Sequence, residues 1–403
     1  MRLRNMCPAA MWKRPEVAKR ETHMTKRILK GAYSRRTVLK GGATVAGALA
    51  MPAVISSKAL ASSGEINILM WSDYLPETFL KTFQDGTGIK VNYTGIGSNE
   101  EIINKMKATK GRGFDIVSPT NNRSLQWAPL EILQPFDMSK VEIDKVNPAM
   151  AKIGSTEWAF SEGEIYWVPH IWGTEGIAWR TDKFTPSGDL PSYGDVWKEE
   201  NAGKTMGRGH SMMLGAGLYM ETIGDLEPGS VWKAYESPET MQPIWTKITD
   251  WCVARKGNIK LIWNDADTQK NGLLNEGVIV GQTWDGPPLA LKNDGEPVMY
   301  AAPVEGAMAW VDGMAIPTGA ENIEAIYEFL KYAYTPEYAG EAIDHHGYNS
   351  PVLGADKFAG ETYAKNFSEA YPGEALASLN PWPAEPQWYA DARTEFVNKF
   401  LSA

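Results

Sequence analysis

"NILMWSDYLPETFLKTFQDGTGIKVNY", residues 67–93, decides the fold class because its apolar pattern changes period twice. Ile68, Leu69 and Met70 form a continuous apolar run of strand type. Phe79, Leu80 and Phe83 then recur at helical spacing, and "GIKVNY" (88–93) returns to a β-branched strand. The alternation continues downstream. "SNEEIINKMKATK" (98–110) is a helix with Ser98 as its cap and Glu101 three residues later, a capping-box arrangement, and "FDIVSPT" (114–120) is a third strand. Strand, helix, strand, helix, strand with short joints means parallel βαβ units, hence an α/β fold. In such sheets ligands bind beyond the carboxyl ends of the strands. Those ends hold Trp71, Ser72, Asp73 and Tyr74 in one case and Ser118 to Asn122 in the other.

The middle of the chain repeats the theme. "VIVGQTWDGPP" (278–288) runs from an apolar strand into Trp284 and Asp285, and "EGAMAWVDGMAIPTGA" (305–320) passes through Trp310 and Asp312 into an apolar strand stopped by Pro317. Three strand tips are therefore expected to carry an aromatic ring beside a carboxylate. "ENIEAIYEFLKYAYTPEYAGE" (321–341) is an amphipathic helix with Ile323, Ile326, Tyr327 and Leu330 on one face, broken at Pro336.

The front of the chain reads as a targeting segment. Arg35 and Arg36 precede a modestly apolar run rich in Gly and Ala that closes on Ala59-Leu60-Ala61, which suits a twin-arginine export signal cleaved near Ala61, with Met24 opening a signal of ordinary length. Gly41, Gly42, Gly47 and Pro52 make that run a poor membrane span, and no later stretch has the roughly 18 apolar residues a span needs. Residues 1–61 hold 13 Lys/Arg and 2 Asp/Glu, so the remaining 342 residues carry 27 basic and 47 acidic side chains, a formal net of −20 against −9 for the whole chain. Nucleic acid and anionic membranes are poor partners for such a surface. Cys7 falls in the signal and leaves Cys252 alone, so cysteines supply no intramolecular disulfide, zinc site or haem attachment, and no lipid-modified Cys follows the cleavage site.

Trp and Tyr offer flat apolar faces, and Asp offers a fixed negative charge. Together they suit a cationic amine on an apolar carbon chain, the ring faces attracting the cation and the carboxylate accepting its N–H groups. Most of the 16 Trp belong to the core of a chain this long; Trp71, Trp284 and Trp310 stand out because each has an Asp one or two residues on. Other chemistries find less support. The five His show no metal-ligand spacing, His345 and His346 being adjacent and so pointing apart in an extended segment. Neither a nucleophile elbow nor a glycine-rich phosphate loop is present, and no cofactor is implied. Acid pairs are plentiful enough to leave a glycosidase dyad open, so an exported carbohydrate-binding protein or glycosidase is the rival class. An exported redox enzyme would fit the export route but has no cofactor motif.

With these residues in view, the chain resembles a family. "NILMWSDYLPETFLKTFQDGTGIKVNY", "SNEEIINKMK", "GFDIVSPT", "VPHIWGTEGIAW", "EGAMAWVDGMAIP" and "HGYNSP" fall in the order and approximate spacing of periplasmic spermidine/putrescine-binding proteins, the receptors of polyamine ABC importers. The resemblance spans essentially the whole chain after the signal. It implies a two-lobed periplasmic-binding-protein fold of type II-like architecture, each lobe a mainly parallel sheet flanked by helices, with the ligand cleft between them. The implied layout is 62–172 for the first lobe, 173–308 for the second, 309–350 returning to the first, and 351–403 as helices packing on the second. Chain crossings are expected near Pro169 to Trp179 and near Glu305 to Asp312.

The resemblance also implies roles. Trp71, Ser72, Asp73 and Tyr74 would face the cleft, joined by the turn from Thr120 to Asn122 and by Tyr348; Trp284 and Trp310 would clamp the carbon chain; Asp312 would hold an ammonium group. One segment departs from the family: where its members place acids for the second amine, "GRGHSMMLGAG" (207–217) has none and carries Arg208 and His210. Glu175 and Asp285 are the candidate replacements; if neither faces the cleft, the ligand has one cationic end or is zwitterionic. The expectation is an exported, monomeric, non-enzymatic receptor for a polyamine or related amine, delivering it to an inner-membrane ABC permease, or else a receptor for another nitrogenous solute.

Overall fold

The computed structural model describes residues 64–403; the expected export signal lies outside them. Along the chain, β1 (Glu65–Trp71), α1 (Glu77–Thr87), β2 (Lys90–Ile96), α2 (Asn99–Thr109) and β3 (Ile116–Val117) come first, then α3 (Ser124–Trp127), β4 (Leu133–Gln134) and α4 (Pro148–Thr156). A long strand, β5 (Val168–Arg180), leads into β6 (Thr205–Gly207), α5 (Gly209–Thr222), α6 (Ser230–Lys233), α7 (Pro238–Val253), β7 (Ile259–Ile262), α8 (Ala266–Leu274), β8 (Val280–Trp284), α9 (Gly286–Asn293) and β9 (Val298–Ala301). The chain returns through β10 (Met308–Met314) and β11 (Ile316–Pro317) to α10 (Ile323–Ala333) and α11 (Pro336–His346), and ends with α12 (Tyr363–Ala370), β12 (Asn380–Pro381) and α13 (Gln387–Ser402).

Two main sheets result. β1 is the middle of the first, parallel to β2 on one side and to β3 on the other. That position explains its unbroken apolar run: Ile68, Leu69 and Met70 are covered on both faces and fully buried. The helix after β1 stops at Gly88, whose φ of 73° is left-handed and whose N–H reaches Gln84 O at 2.8 Å. Ser98 caps α2 by accepting from Glu101 N at 3.1 Å, but Glu101 takes Gly97 N (3.2 Å) where a full capping box would take the Ser98 N–H. Buried Asp115 accepts from Asn67 N (2.7 Å), Glu321 N (3.0 Å) and Asn322 N (3.0 Å), tying the first sheet to the start of α10.

The second sheet runs β12-β10-β5-β8-β6-β7, with β9 also on β5. It is mixed: β6 is parallel to β7 and β8, whereas β5 is antiparallel to β8, β9 and β10. The β5/β10 pair also joins the two sheets, because just past β10 Ala315 bridges Val117 of β3, and Asp312 bridges Thr120. Gly173 on β5 is needed there; a Cβ would stand 2.5 Å from Asp285 Oδ1 and 2.6 Å from Trp310 Cζ2. Behind the sheet, α5 is buried nearly all round, and α13 packs on α7 and α5.

Three expectations are corrected. Trp310 and Asp312 sit inside β10, not at a strand tip, with the ladder shifting register between Asp312 and Gly313. His345 and His346 end helix α11 instead of lying extended, and buried His346 accepts Tyr348 N through Nδ1 at 3.0 Å. The third strand shrinks from seven residues to Ile116 and Val117. Among the described residues Cys252 is free and buried, no group of three or more metal-ligating side chains is gathered, and no helix is long and apolar enough to cross a membrane.

Candidate functional site

The tips of both sheets and the crossing strand β10 meet around a cavity of about 50 Å³, room for a few water-sized groups. From the first sheet come Trp71, Tyr74, Asn99, Thr120, Asn122 and Arg123; from the second come Glu175, Arg208, His210, Trp284, Trp310, Asp312 and Trp382, with Tyr348 from the loop after α11. The two sides touch: Trp71 meets Trp284 edge-on with ring centres 5.7 Å apart, and Arg208 Nη2 donates to Gly97 O at 3.3 Å.

Trp71 is fixed by its indole N–H on Ser118 O (3.1 Å) and by Tyr93, whose hydroxyl donates to its carbonyl. Tyr74 lies parallel to Trp310 (6.5 Å between centres, 13° between planes), and Tyr348 stands edge-on to both at 5.4 Å. Those three rings surround Asp312, whose Oδ2 accepts the Tyr74 hydroxyl while buried Oδ1 has no bonded partner. Burial pushes the Asp312 carboxyl up to about 7, helped by the like charge of Asp73, with Thr120 and Tyr74 pulling it down. Burial likewise raises Asp73 to about 6, against a hydrogen bond from Tyr348. Near pH 7 Asp73 is thus mostly ionised and Asp312 about half ionised, and a cation between the rings would favour the charged form of both.

The other side of the cavity is basic. The Arg208 guanidinium lies 5.4 Å from the Trp284 ring centre and 5.9 Å from that of Trp263; burial lowers its pKa against the pull of Glu100 and Glu175. His210 is kept well below the ordinary imidazole range by burial and by the charges of Arg393 and Arg208, so it is neutral. Glu175 accepts Gln282 Nε2 at 2.8 Å, and burial raises its carboxyl. Beneath this wall Glu385, fully buried, accepts Arg123 (2.6 Å) and Arg393 (3.2 Å), and Glu100 joins both guanidiniums at 3.3 and 2.9 Å.

Of the residues singled out from sequence, Trp71, Tyr74, Thr120, Asn122, Glu175, Trp284, Trp310, Asp312 and Tyr348 line the cavity. Ser72, Asp73 and Asp285 do not. Ser72 is exposed, its N–H on Ile96 O (3.1 Å), and Asp73 sits behind Tyr348. Asp285 is turned inward: fully buried at the start of α9, it accepts Tyr371 Oη (2.7 Å), Asn349 Nδ2 (3.1 Å) and Gly286 N (3.1 Å), and it is not part of the cavity lining. Sequence reasoning missed Asn99, Arg123 and Trp382. Asn99, holding Thr120 through Nδ2 to Oγ1 at 2.7 Å and Thr120 N to Oδ1 at 3.0 Å, was signalled only by its place next to the Ser98 cap.

Residues 78–367 match the family described as bacterial extracellular solute-binding protein. The spermidine/putrescine-binding periplasmic protein of Salmonella typhimurium is 26% identical over 342 residues, 84% of this chain and 91% of the relative. Spermidine/putrescine-binding periplasmic protein 1 of Haemophilus influenzae is 28% identical over 335 residues, 81% of this chain and 86% of the relative. A solved structure assigned to a spermidine/putrescine ABC transporter of Listeria monocytogenes superposes with a TM-score of 0.70 at 21% identity, covering 84% of this chain and 99% of that one, which supports the fold.

Proposed function

Since the chain belongs to the bacterial extracellular solute-binding proteins, we propose that it is the periplasmic receptor of an ABC importer and that it takes a small solute with a protonated amine. The observation that carries this reading is the box around Asp312: a buried carboxylate with one unpartnered oxygen, walled by Tyr74, Trp310 and Tyr348. Ring faces attract a cation, and a carboxylate accepts its N–H groups in charge-assisted bonds, so this box suits an ammonium group.

Function then consists of binding and closure without chemistry. A solute touching both walls favours the closed arrangement of the lobes, and that closed form is what a permease would recognise. Export by the twin-arginine signal, cleavage near Ala61 and a monomeric state belong to the same reading, as does the membrane permease as partner. The test is a thermal-shift screen of the purified protein against putrescine, spermidine, other amines, amino acids and small sugars, because a ligand specific to the folded state raises the melting temperature by mass action. A rise confined to amine-bearing solutes supports the reading; a rise confined to sugars overturns it.

A further inference from the structure

The Asp312 box accounts for one end of the cavity and leaves the other unexplained. Arg208 makes one hydrogen bond, to Gly97 O at 3.3 Å, and forms no ion pair among the described residues. A guanidinium carries five N–H donors, and this half-buried one, stacked over Trp284 and Trp263, uses a single donor. Its neighbours Arg123 and Arg393 are treated differently, each held by both Glu100 and Glu385. Glu175 is engaged by Gln282. Two further observations point the same way. Arg208 is the residue before the fourteen-residue helix α5, and its side chain makes no capping bond there, so the positive end of the helix is uncapped by it. The buried indole N–H of Trp382 has no partner, and that ring stands 5.8 Å from His210 in the first turn of α5. This wall offers free donors beside the engaged Glu175, whereas the Asp312 wall offers a free carboxylate oxygen together with the Trp310 indole N–H. Between them run Tyr74, Trp71 and Trp284, an aromatic row with centres 6.2 and 5.7 Å apart.

We propose that Arg208 anchors a carboxylate, so that the solute is a linear ω-amino acid, its ammonium at Asp312 and its methylenes along the aromatic row, and not a diamine. The proposal rests on the ammonium reading of Asp312. A diamine would bring its second cation against Arg208 and be rejected by like-charge repulsion.

The test is calorimetric titration of the full protein with the four- to six-carbon ω-amino acids, the diamines of equal length and the corresponding monocarboxylates. The expected result is tightest binding by an ω-amino acid, a loss of about 100-fold in Arg208→Gln, and partial retention in Arg208→Lys. Without ligand, Arg208→Gln should stay folded with at most a small drop in melting temperature, from the lost stacking on Trp284 and Trp263. Should Arg208→Gln not fold, Arg208→Lys decides alone: it keeps the charge and loses the planar fork, so unchanged ω-amino acid affinity there counts against the proposal. A diamine binding as tightly as the amino acid, or Arg208→Gln leaving the amino acid's affinity unchanged, overturns the carboxylate anchor while sparing the Asp312 reading. Failure of every amine-bearing solute overturns both.

Discussion

Tyr74 and Trp310 lie parallel, 13° apart in plane and 6.5 Å between centres, although one follows the first strand of one sheet and the other sits inside a strand of the second. Asp312, two residues beyond Trp310 on the same face of β10, receives the Tyr74 hydroxyl. One carboxylate and two rings thus join the lobes at the point where an ammonium group would rest.

Asp312→Asn should weaken an amine-bearing ligand by about 2 to 5 kcal/mol, the scale of a buried charge-assisted pair losing one partner. Melting temperature without ligand should hold or rise, because a buried carboxylate is removed. Calorimetry and thermal melts of the two proteins check this; unchanged affinity would take Asp312 out of the site.

Affinity should depend on pH. With the Asp312 and Asp73 carboxyls at about 7 and 6 before binding, a cation must displace protons at acid pH and none at alkaline pH. Affinity is therefore expected to climb from pH 5 to 7 and flatten by pH 8, with protons released at the lower values. Titration in two buffers of different ionisation enthalpy measures that release directly; a flat profile across the range contradicts it.

Gly173→Ala places a methyl group where Asp285 Oδ1 and Trp310 Cζ2 already stand. The expected outcome is a stability loss of about 1 to 3 kcal/mol, typical of overpacking, with weaker ligand binding because Trp310 is pushed off Tyr74. Denaturant titration and a binding curve together separate the two effects.

Glu385→Gln removes a fully buried charge that two guanidiniums share. Breaking such a cluster on one side should cost about 3 to 5 kcal/mol. Unfolding by urea measures it, and a loss below about 1 kcal/mol would mean that Glu100 alone satisfies Arg123 and Arg393.

What was legible in the sequence followed local pattern. The run Ile68-Leu69-Met70 announced a strand, and Trp71 and Tyr74 at its end do reach the cavity. The reading of Trp310 and Asp312 as a strand tip failed because "MAWVDGM" alternates: Met308, Trp310 and Asp312 are buried while Ala309 and Val311 are half-buried, a period of two inside a strand. Asp285 was misjudged because its neighbour Trp284 does line the cleft, and successive residues at a strand end point opposite ways. Trp382 was out of reach altogether. It is brought to the site by β12, whose two residues pair with Met308 and Ala309, and so short a strand leaves no periodic trace.

The join between β5 and β10 has a mechanical consequence. When two bodies swing about a pivot, displacement grows with distance from the axis, so a group on the axis scarcely travels. Asp312 sits at that join, bridged to Thr120, whereas Trp71 and Trp284 face each other from strand ends on opposite bodies. If the two sheets swing about that join, the indoles would part first and Asp312 would travel least, so an amine held there would be released last. A solute would leave tethered by its cationic end, like a boat whose stern line is cast off before the bow.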